Sequence, residues 1–302
     1  MNGENIVNNL NSANNSNYID LHVHSNKSDG TLSPTEVVQH AIRRGLAAIA
    51  LTDHDCISGI SEAVAEAARA AAPIRIVPGI EISAEYKDRD IHILGLLIDS
   101  EHPDLRGALN AAILARDTRN EKMVQNLQRA GLDITMADLL FDAKDTVITR
   151  AHFARHLIAK GYVKDRHEAF KRYLDSTTPY YVCRKYIKPE QAIQLILQAG
   201  GIPVLAHPLL YHLKLTELEE LLTELVGYGL CGIETLYSAN SAADEALVRS
   251  LAGKYKLLMT GGSDFHGANK PEIEIGTGRG NLRIPMELLD KLDAFQKEKQ
   301  HN

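Results

Sequence analysis

Seven apolar, β-branched runs in this sequence stop at a side chain able to ligate a metal ion. They are Asp20-Leu21-His22-Val23-His24, Thr52-Asp53-His54-Asp55, Gly79-Ile80-Glu81, Ile91-His92, Ala206-His207-Pro208, Ile233-Glu234 and Ser263-Asp264-Phe265-His266. Imidazoles mixed with carboxylates, without thiolates, suit zinc, manganese or iron. Side chains at one end of successive parallel strands converge although they are far apart in sequence, and in (β/α) barrels that end houses the chemistry. The expected chemistry is metal-dependent hydrolysis.

Each motif also has a plainer explanation. His22 and His24 stand at strand spacing and share a face, so they can hold one ion, two adjacent ions, or simply each other. Asp29-Gly30 suits a turn as well as a ligand. Asp55 suits a helix N-cap, whereas His54 has no such role and is the better ligand; Asp53 is expected to orient a ring or stand behind the ligands. Glu81 lies in the run Val77-Pro78-Gly79-Ile80-Glu81-Ile82, where a carboxylate is costly to bury unless it is metal-bound or in a buried salt bridge. His92, within Ile91-His92-Ile93-Leu94, is a ligand or a satisfied core histidine. Pro restricts the residue before it, so Pro208 fixes the backbone where His207 must point. Asp264 and His266 repeat the strand spacing of His22 and His24, with a turn as the alternative. His40, His102, His156, His167, His212 and His301 fall on helix patterns or in linkers and are read as surface or packing.

The elements that must position these groups alternate. Ser33-Pro34-Thr35-Glu36 is a capping box with Pro at the first helical position, and Gly45 closes that helix. Strands are expected at Leu46–Leu51, Ile74–Val77, Ile80–Ser83, Ile91–Ile98, Ile202–Ala206, Gly232–Leu236 and Leu257–Gly261. Helices are expected near Ser61–Ala71, Pro189–Ala199, Glu217–Tyr228 and Ala242–Gly253. From about 103 to 187 the alternation fails, leaving the helix patterns Leu105–Ala130, Arg150–Lys160 and Asp165–Leu174. Alternating β and α elements imply an α/β protein with a parallel sheet and right-handed crossovers. Seven strand ends carrying polar chemistry favour a closed or nearly closed barrel, since an open sheet would use two or three. The expected organisation is a disordered tail over 1–17, a barrel in two parts (18–102 and 188–302), and a helical cap insertion over 103–187.

The chain has 302 residues, 44% of them hydrophobic, enough for a barrel-sized core. A net charge of -6 argues against a large nucleic-acid-binding surface but admits a small anionic substrate, because bound metals reverse the local sign. Cys56, Cys183 and Cys231 show no paired spacing, so neither disulfides nor a thiolate zinc site is expected. No apolar run is long enough for a membrane span, and the Asn-rich first 17 residues lack a signal peptide's apolar segment. A cytoplasmic protein is expected.

Asp20-Leu21-His22-Val23-His24-Ser25 with Ser28-Asp29-Gly30, Thr52-Asp53-His54-Asp55, Gly79-Ile80-Glu81-Ile82-Ser83, Ala206-His207-Pro208 and Gly262-Ser263-Asp264-Phe265-His266-Gly267 resemble, in order and spacing, the motifs of the polymerase and histidinol phosphatase (PHP) superfamily. The likeness runs from about Tyr18 to Gly278. It implies a distorted (β/α)7 barrel holding two to three divalent ions, manganese first, with zinc or iron as alternatives. Carried over by position, one ion takes His22, His24, Glu81 and Asp264. A second shares Glu81 and takes His92 and His207, and a third takes Asp29, His54 and His266.

The helical insertion resembles the branch of nucleoside 3',5'-bisphosphate phosphatases and 5'→3' exoribonucleases, although Ala151 and Cys183 stand where Pro is expected in that branch. This likeness implies substrate contacts from Arg116, Arg119, Arg150, His152 and Arg184. Arg116 and Arg119, at i and i+3, present two cations on one helix face; solvated helix charges are the alternative. The implied reaction is hydrolysis of a nucleotide phosphate ester by a metal-activated hydroxide. No protein nucleophile is needed, and the cap arginines grip a second phosphate. The implied substrate is a small phosphorylated nucleotide or a short oligonucleotide. A histidinol-phosphate phosphatase shares the metal chemistry, but the arginine-bearing insertion favours the nucleotide. A polymerase-linked proofreading module is disfavoured because the chain has no room for a polymerase. A non-catalytic metal-bound interaction module is disfavoured by the full ligand set.

Overall fold

Ser33 accepts the Glu36 N–H while the Glu36 carboxylate accepts the Ser33 N–H, and this reciprocal cap starts the first helix at Pro34 as expected. The computed structural model describes residues 17–87, 89–140, 146–182 and 187–300. The expected tail therefore lies, but for Asn17, outside the described residues, as do Cys183, Arg184 and His301.

The chain runs β1 (Ile19–Val23), α1 (Pro34–Arg43), β2 (Ala48–Leu51), α2 (Ile60–Arg69), β3 (Arg75–Tyr86) and β4 (Arg89–Leu96). It continues through α3 (Pro103–Arg129), α4 (Met136–Leu139), α5 (Arg150–Ala159) and α6 (Arg166–Ala169), the last followed directly by a π-helix, Phe170–Leu174. Then come α7 (Pro189–Gln198), β5 (Ile202–Leu205), α8 (Leu215–Gly227), β6 (Gly232–Tyr237), α9 (Ala242–Tyr255), β7 (Leu258–Gly262) and α10 (Glu287–Gln300).

The strands form one sheet in the order β1-β2-β3-β4-β5-β6-β7. Its two ends meet: Val23 bridges Phe265, the Asp264 N–H donates to the His22 carbonyl at 2.9 Å, and the His24 N–H donates to the Phe265 carbonyl at 3.0 Å. The result is a nearly closed seven-stranded barrel of the α/β class. Closure requires a glycine at position 262, because a Cβ there would lie 2.1 Å from the His22 Cβ.

Two expectations are corrected. The sheet is not parallel throughout, since β3 pairs antiparallel with β4, and β4 with β5. The two short strands expected at Ile74–Val77 and Ile80–Ser83 are one 12-residue strand, which turns directly into β4 with Tyr86 opposite Arg89. Apolar content reports burial and not strand direction, so a buried hairpin reads like two parallel strands.

Ile80, Ile82, Ile91 and Ile93 pack beneath α7 and α8. Leu21, Ala50, Leu94 and Val204 share a second cluster with Leu288, Leu289 and Leu292 of α10, a helix the sequence reading did not include. The helices between β4 and β5 bury a cluster of their own, with Met123, Leu127, Phe153, Leu157 and Leu174 at zero exposure.

Candidate metal centre and its cleft

His22 lies inside β1 and His24 just beyond it; their side chains share a face because strand residues two apart do. His54 follows β2 in a turn whose Asp55 adopts φ 51, and His54 bridges to Glu81 of β3. Glu81 and His92 do not end their strands. Glu81 pairs with Leu94 and Ser83 with His92, so the two functional side chains occupy one face of the hairpin, two register positions apart. His207 and Asp264 leave β5 and β7 at φ 27 and 59, left-handed backbone that is rare for residues other than glycine.

Glu81 is the hub. Its Oε1 lies 2.9 Å from both His92 Nδ1 and His207 Nε2. Its Oε2 lies 3.1 Å from His54 Nδ1, 3.2 Å from His24 Nε2 and 3.4 Å from His22 Nε2. Asp264 Oδ1 stands 3.4 Å from His24 Nε2, and Asp29 Oδ1 stands 3.1 Å from His266 Nε2. Among the described residues, four sets of ligand atoms lie within 4.8 Å of one another: His24, Asp29, His54 and His266; His22, His24 and Asp264; His22, Glu81 and His207; His54, Glu81 and His92. All nine residues expected to ligate are thus gathered at one place. The sets overlap, with His24 also reaching the Asp29 group.

The donor chemistry fits cations. The Nε2 atoms of His22 and His24 face each other at 3.1 Å, which needs a proton or a cation to relieve the lone pairs. Glu81 Oε2, Asp29 Oδ1 and His54 Nδ1 are buried and make no hydrogen bond of sound geometry. Burial disfavours the charged form of every carboxylate here, yet the imidazoles around Glu81 (His54, His92 and His22) hold it well below the usual carboxylate range. Asp29 is lowered likewise by His266 and His54, and Asp264 by Lys270 and His266. Burial also pulls imidazoles down and takes His54 to about 3 and His266 to about 4. At His24 the Asp264 and Glu81 carboxylates overcome burial and raise the ring to about 9. At His92 the Glu81 charge and Asp90 raise it to about 10.

Further residues hold this centre in place. Glu234 Oε1 accepts from His22 Nδ1 at 3.0 Å while its Oε2 accepts the His207 N–H at 2.8 Å. The His266 Nδ1–H donates to the Asp264 carbonyl at 2.8 Å, leaving Nε2 turned inward. Asp53 stands behind His24: the Ser28 hydroxyl donates to Asp53 and lies 3.4 Å from His24 Nδ1. This carboxylate accepts from the Ser25 N–H and from the Ser25 and Ser28 hydroxyls, fixing the loop that carries His24 and Asp29. Asp20 accepts from Ser263 and from the Gly276 N–H, tying β1 to the end of β7; burial raises its carboxyl to about 6. Tyr237 and Lys270 both donate to Asp264 Oδ2, at 2.7 and 2.6 Å. The sequence marks Glu234 as a ligand-type side chain ending an apolar run but assigns it to no ion; Tyr237 and Lys270 carry no such signal.

A cleft of about 160 Å³ opens on the centre, lined by Asp29, His54 and His92 and also by Arg116, Arg119, Arg150 and Arg166. Arg116 is buried and donates to Asp55 Oδ2, while Asp55 Oδ1 accepts the Ser83 N–H. Asp55 is therefore an arginine anchor; the N-cap of α2 is Gly59. Arg150 donates to Asp90 at 3.3 Å. His152 is not in the cleft wall: its Nδ1 accepts the Thr149 N–H at 3.0 Å and caps α5. Arg184 lies outside the described residues, and Arg166 and Phe170 join the lining unannounced by the sequence.

A family model described as PHP domain matches residues 20–182. The chain belongs to the PHP family. It is 37% identical over 259 residues to a 3',5'-nucleoside bisphosphate phosphatase from Chromobacterium violaceum, covering 85% of this chain and 90% of that protein. It is 36% identical over 247 residues to a 5'-3' exoribonuclease from Haemophilus influenzae, covering 82% and 89%. A crystal structure from Bifidobacterium adolescentis, assigned as a metal-dependent phosphoesterase, superposes with a TM-score of 0.81 at 29% identity, covering 91% of this chain and 95% of that one. The PHP chain thus sits among metal-dependent hydrolases of phosphate esters. Among its described residues no helix is long and apolar enough to cross a membrane.

Proposed function

We propose that this PHP protein is a metal-dependent phosphatase of nucleoside 3',5'-bisphosphates. One observation carries the reading: a single cleft is lined by side chains of the metal centre (Asp29, His54, His92) and by four arginines. Glu81 and the surrounding His22, His24, His92, His207, Asp264, Asp29, His54 and His266 would hold two or three divalent ions. Manganese is the proposed ion, with zinc and iron also suited to imidazole and carboxylate donors. Bound divalent ions supply Lewis-acid charge to phosphoryl oxygens and acidify water.

The protein's own part is positioning. Glu234 and the Asp264 carbonyl turn His22 and His266 so that their free nitrogens face inward. Arg116, Arg119 and Arg150 would grip the phosphate that is not cleaved, because guanidinium forks match phosphate oxygens in pairs. A buried wall around the centre strengthens these contacts by limiting water. The absence of paired cysteine spacing supports placing this activity in the cytoplasm.

A second reading, trimming of short RNA from its 5' end, has one observation in its favour. A groove of about 310 Å³, lined by Ala154, Arg155 and Asn269, shares Ala151 and Arg166 with the cleft and extends it. The deciding experiment is metal analysis of the purified protein together with phosphate release from adenosine 3',5'-bisphosphate, histidinol phosphate and a 5'-phosphorylated oligonucleotide. The first substrate should have the highest kcat/KM. Preference for histidinol phosphate would overturn the proposal, and preference for the oligonucleotide would promote the second reading.

A further inference from the structure

Among the described residues the cleft wall carries one phenyl ring, and phosphate recognition does not explain it. Phe170 is flanked by two guanidiniums, with the Cζ atoms of Arg150 and Arg166 each 5.6 Å from its ring centroid. All three residues line the cleft. Arg150 also reaches the Tyr181 ring at 5.7 Å. Through Asp90 the same guanidinium is linked to the metal centre: Asp90 Oδ2 accepts from Arg150, and Asp90 Oδ1 stands 3.7 Å from His92 Nε2. The ring is thus one guanidinium and one carboxylate away from an expected metal ligand.

The local backbone places Phe170 at this position. The sequence pattern reads as one helix over Asp165–Leu174, but α6 stops after Ala169 and the chain widens into a π-helix. Ala169 and Leu174 are fully buried in the cluster of the β4–β5 helices, whereas Phe170 keeps part of its ring in the cleft. Single π turns recur at functional sites, where they re-aim a side chain. An anion gains from the arginines alone. A flat, partly exposed ring beside two planar cations adds affinity for another flat, polarisable group.

We propose that Phe170, flanked by Arg150 and Arg166, is the platform on which the substrate's nucleobase stacks, and that it makes the enzyme select nucleotides over base-free sugar phosphates. The inference rests on the reading that the substrate is a nucleotide. Stacking tolerates any base, so the platform selects for the presence of a base and not its identity.

The test compares adenosine 3',5'-bisphosphate with 1-O-methylribose 3,5-bisphosphate, which keeps both phosphates and lacks the base. Phe170→Leu preserves apolar packing and should lower the preference for the base-bearing substrate by roughly tenfold, mainly through KM. The second measurement does not need turnover. The sequence contains no tryptophan, so tryptophan emission from a Phe170→Trp variant, excited where tyrosine does not absorb, reports position 170 alone. Adenosine 5'-monophosphate should quench it, and ribose 5-phosphate should not. An unchanged substrate preference in Phe170→Leu, or equal quenching by the two ligands, overturns the platform. If the wild-type protein hydrolyses neither bisphosphate while the nucleotide alone quenches, the phosphatase reading falls and the platform stands.

Discussion

Glu234 Oε1 lies 3.0 Å from His22 Nδ1, on the far side of the ring from Glu81. The contact fixes the neutral tautomer with its proton on Nδ1 and leaves Nε2 free for an ion. Glu234→Gln keeps the size but removes the charge that makes the ring more basic. Metal affinity, measured by competition with a chromogenic chelator, should fall roughly ten- to a hundredfold. Unchanged affinity would show that β1 geometry alone orients His22.

Glu81 should be the least replaceable ligand. Its two oxygens divide five imidazoles between them: His92 and His207 on Oε1, and His54, His24 and His22 on Oε2. Glu81→Gln should therefore lose more bound metal than His54→Ala, whose ring faces the Glu81 and Asp29 carboxylates. Stoichiometry by atomic emission decides it, and equal metal content in the two variants contradicts the hub assignment.

Metal uptake should release protons. Ligating imidazoles must be neutral. In the metal-free protein, carboxylate partners outweigh burial and raise His24 to about 9 and His92 to about 10, so both are charged at pH 7.5, and they push His22 up from its usual value. Burial keeps His54 and His266 neutral at that pH, near 3 and 4. Binding must displace protons from the first group, so affinity and activity should weaken as pH falls. Calorimetry in buffers of different ionisation enthalpy should show roughly two protons released per loaded chain. Proton-neutral binding would contradict it.

The nine candidate ligands were legible because metal chemistry restricts residue type and burial makes an unpaired His, Asp or Glu conspicuous in an apolar run. Strand direction was not legible: β3 and β4 are buried on both faces, and Ile80, Ile82, Ile91 and Ile93 look the same in either orientation. The cleft wall was only partly legible. Arg116 showed a helix-face spacing but no sign of its partner Asp55, 61 positions away. Arg166 and Phe170 join the wall because the helix between Asp165 and Leu174 changes pitch, and a periodicity template assumes that it does not.

The two arginines of α3 should behave differently although they stand three residues apart. Arg116 is paired with Asp55, and both are buried, so Arg116→Ala leaves a carboxylate without its cation. Removing one partner of such a pair typically costs about 3–5 kcal/mol, so a clear fall in Tm is expected before any kinetic effect can be assigned. Arg119 packs along the cleft with Nη1 3.4 Å from Met123 Sδ. The Tm of Arg119→Ala is measured first, so that its kinetics are read on the folded variant. The substitution should lower kcat/KM for adenosine 3',5'-bisphosphate by roughly ten- to a hundredfold, the range for losing a charge-assisted phosphate contact. A small aryl phosphate has no second phosphate to grip, so its kcat/KM should change far less. Equal losses on both substrates at constant Tm would instead place Arg119 against the phosphate being cleaved.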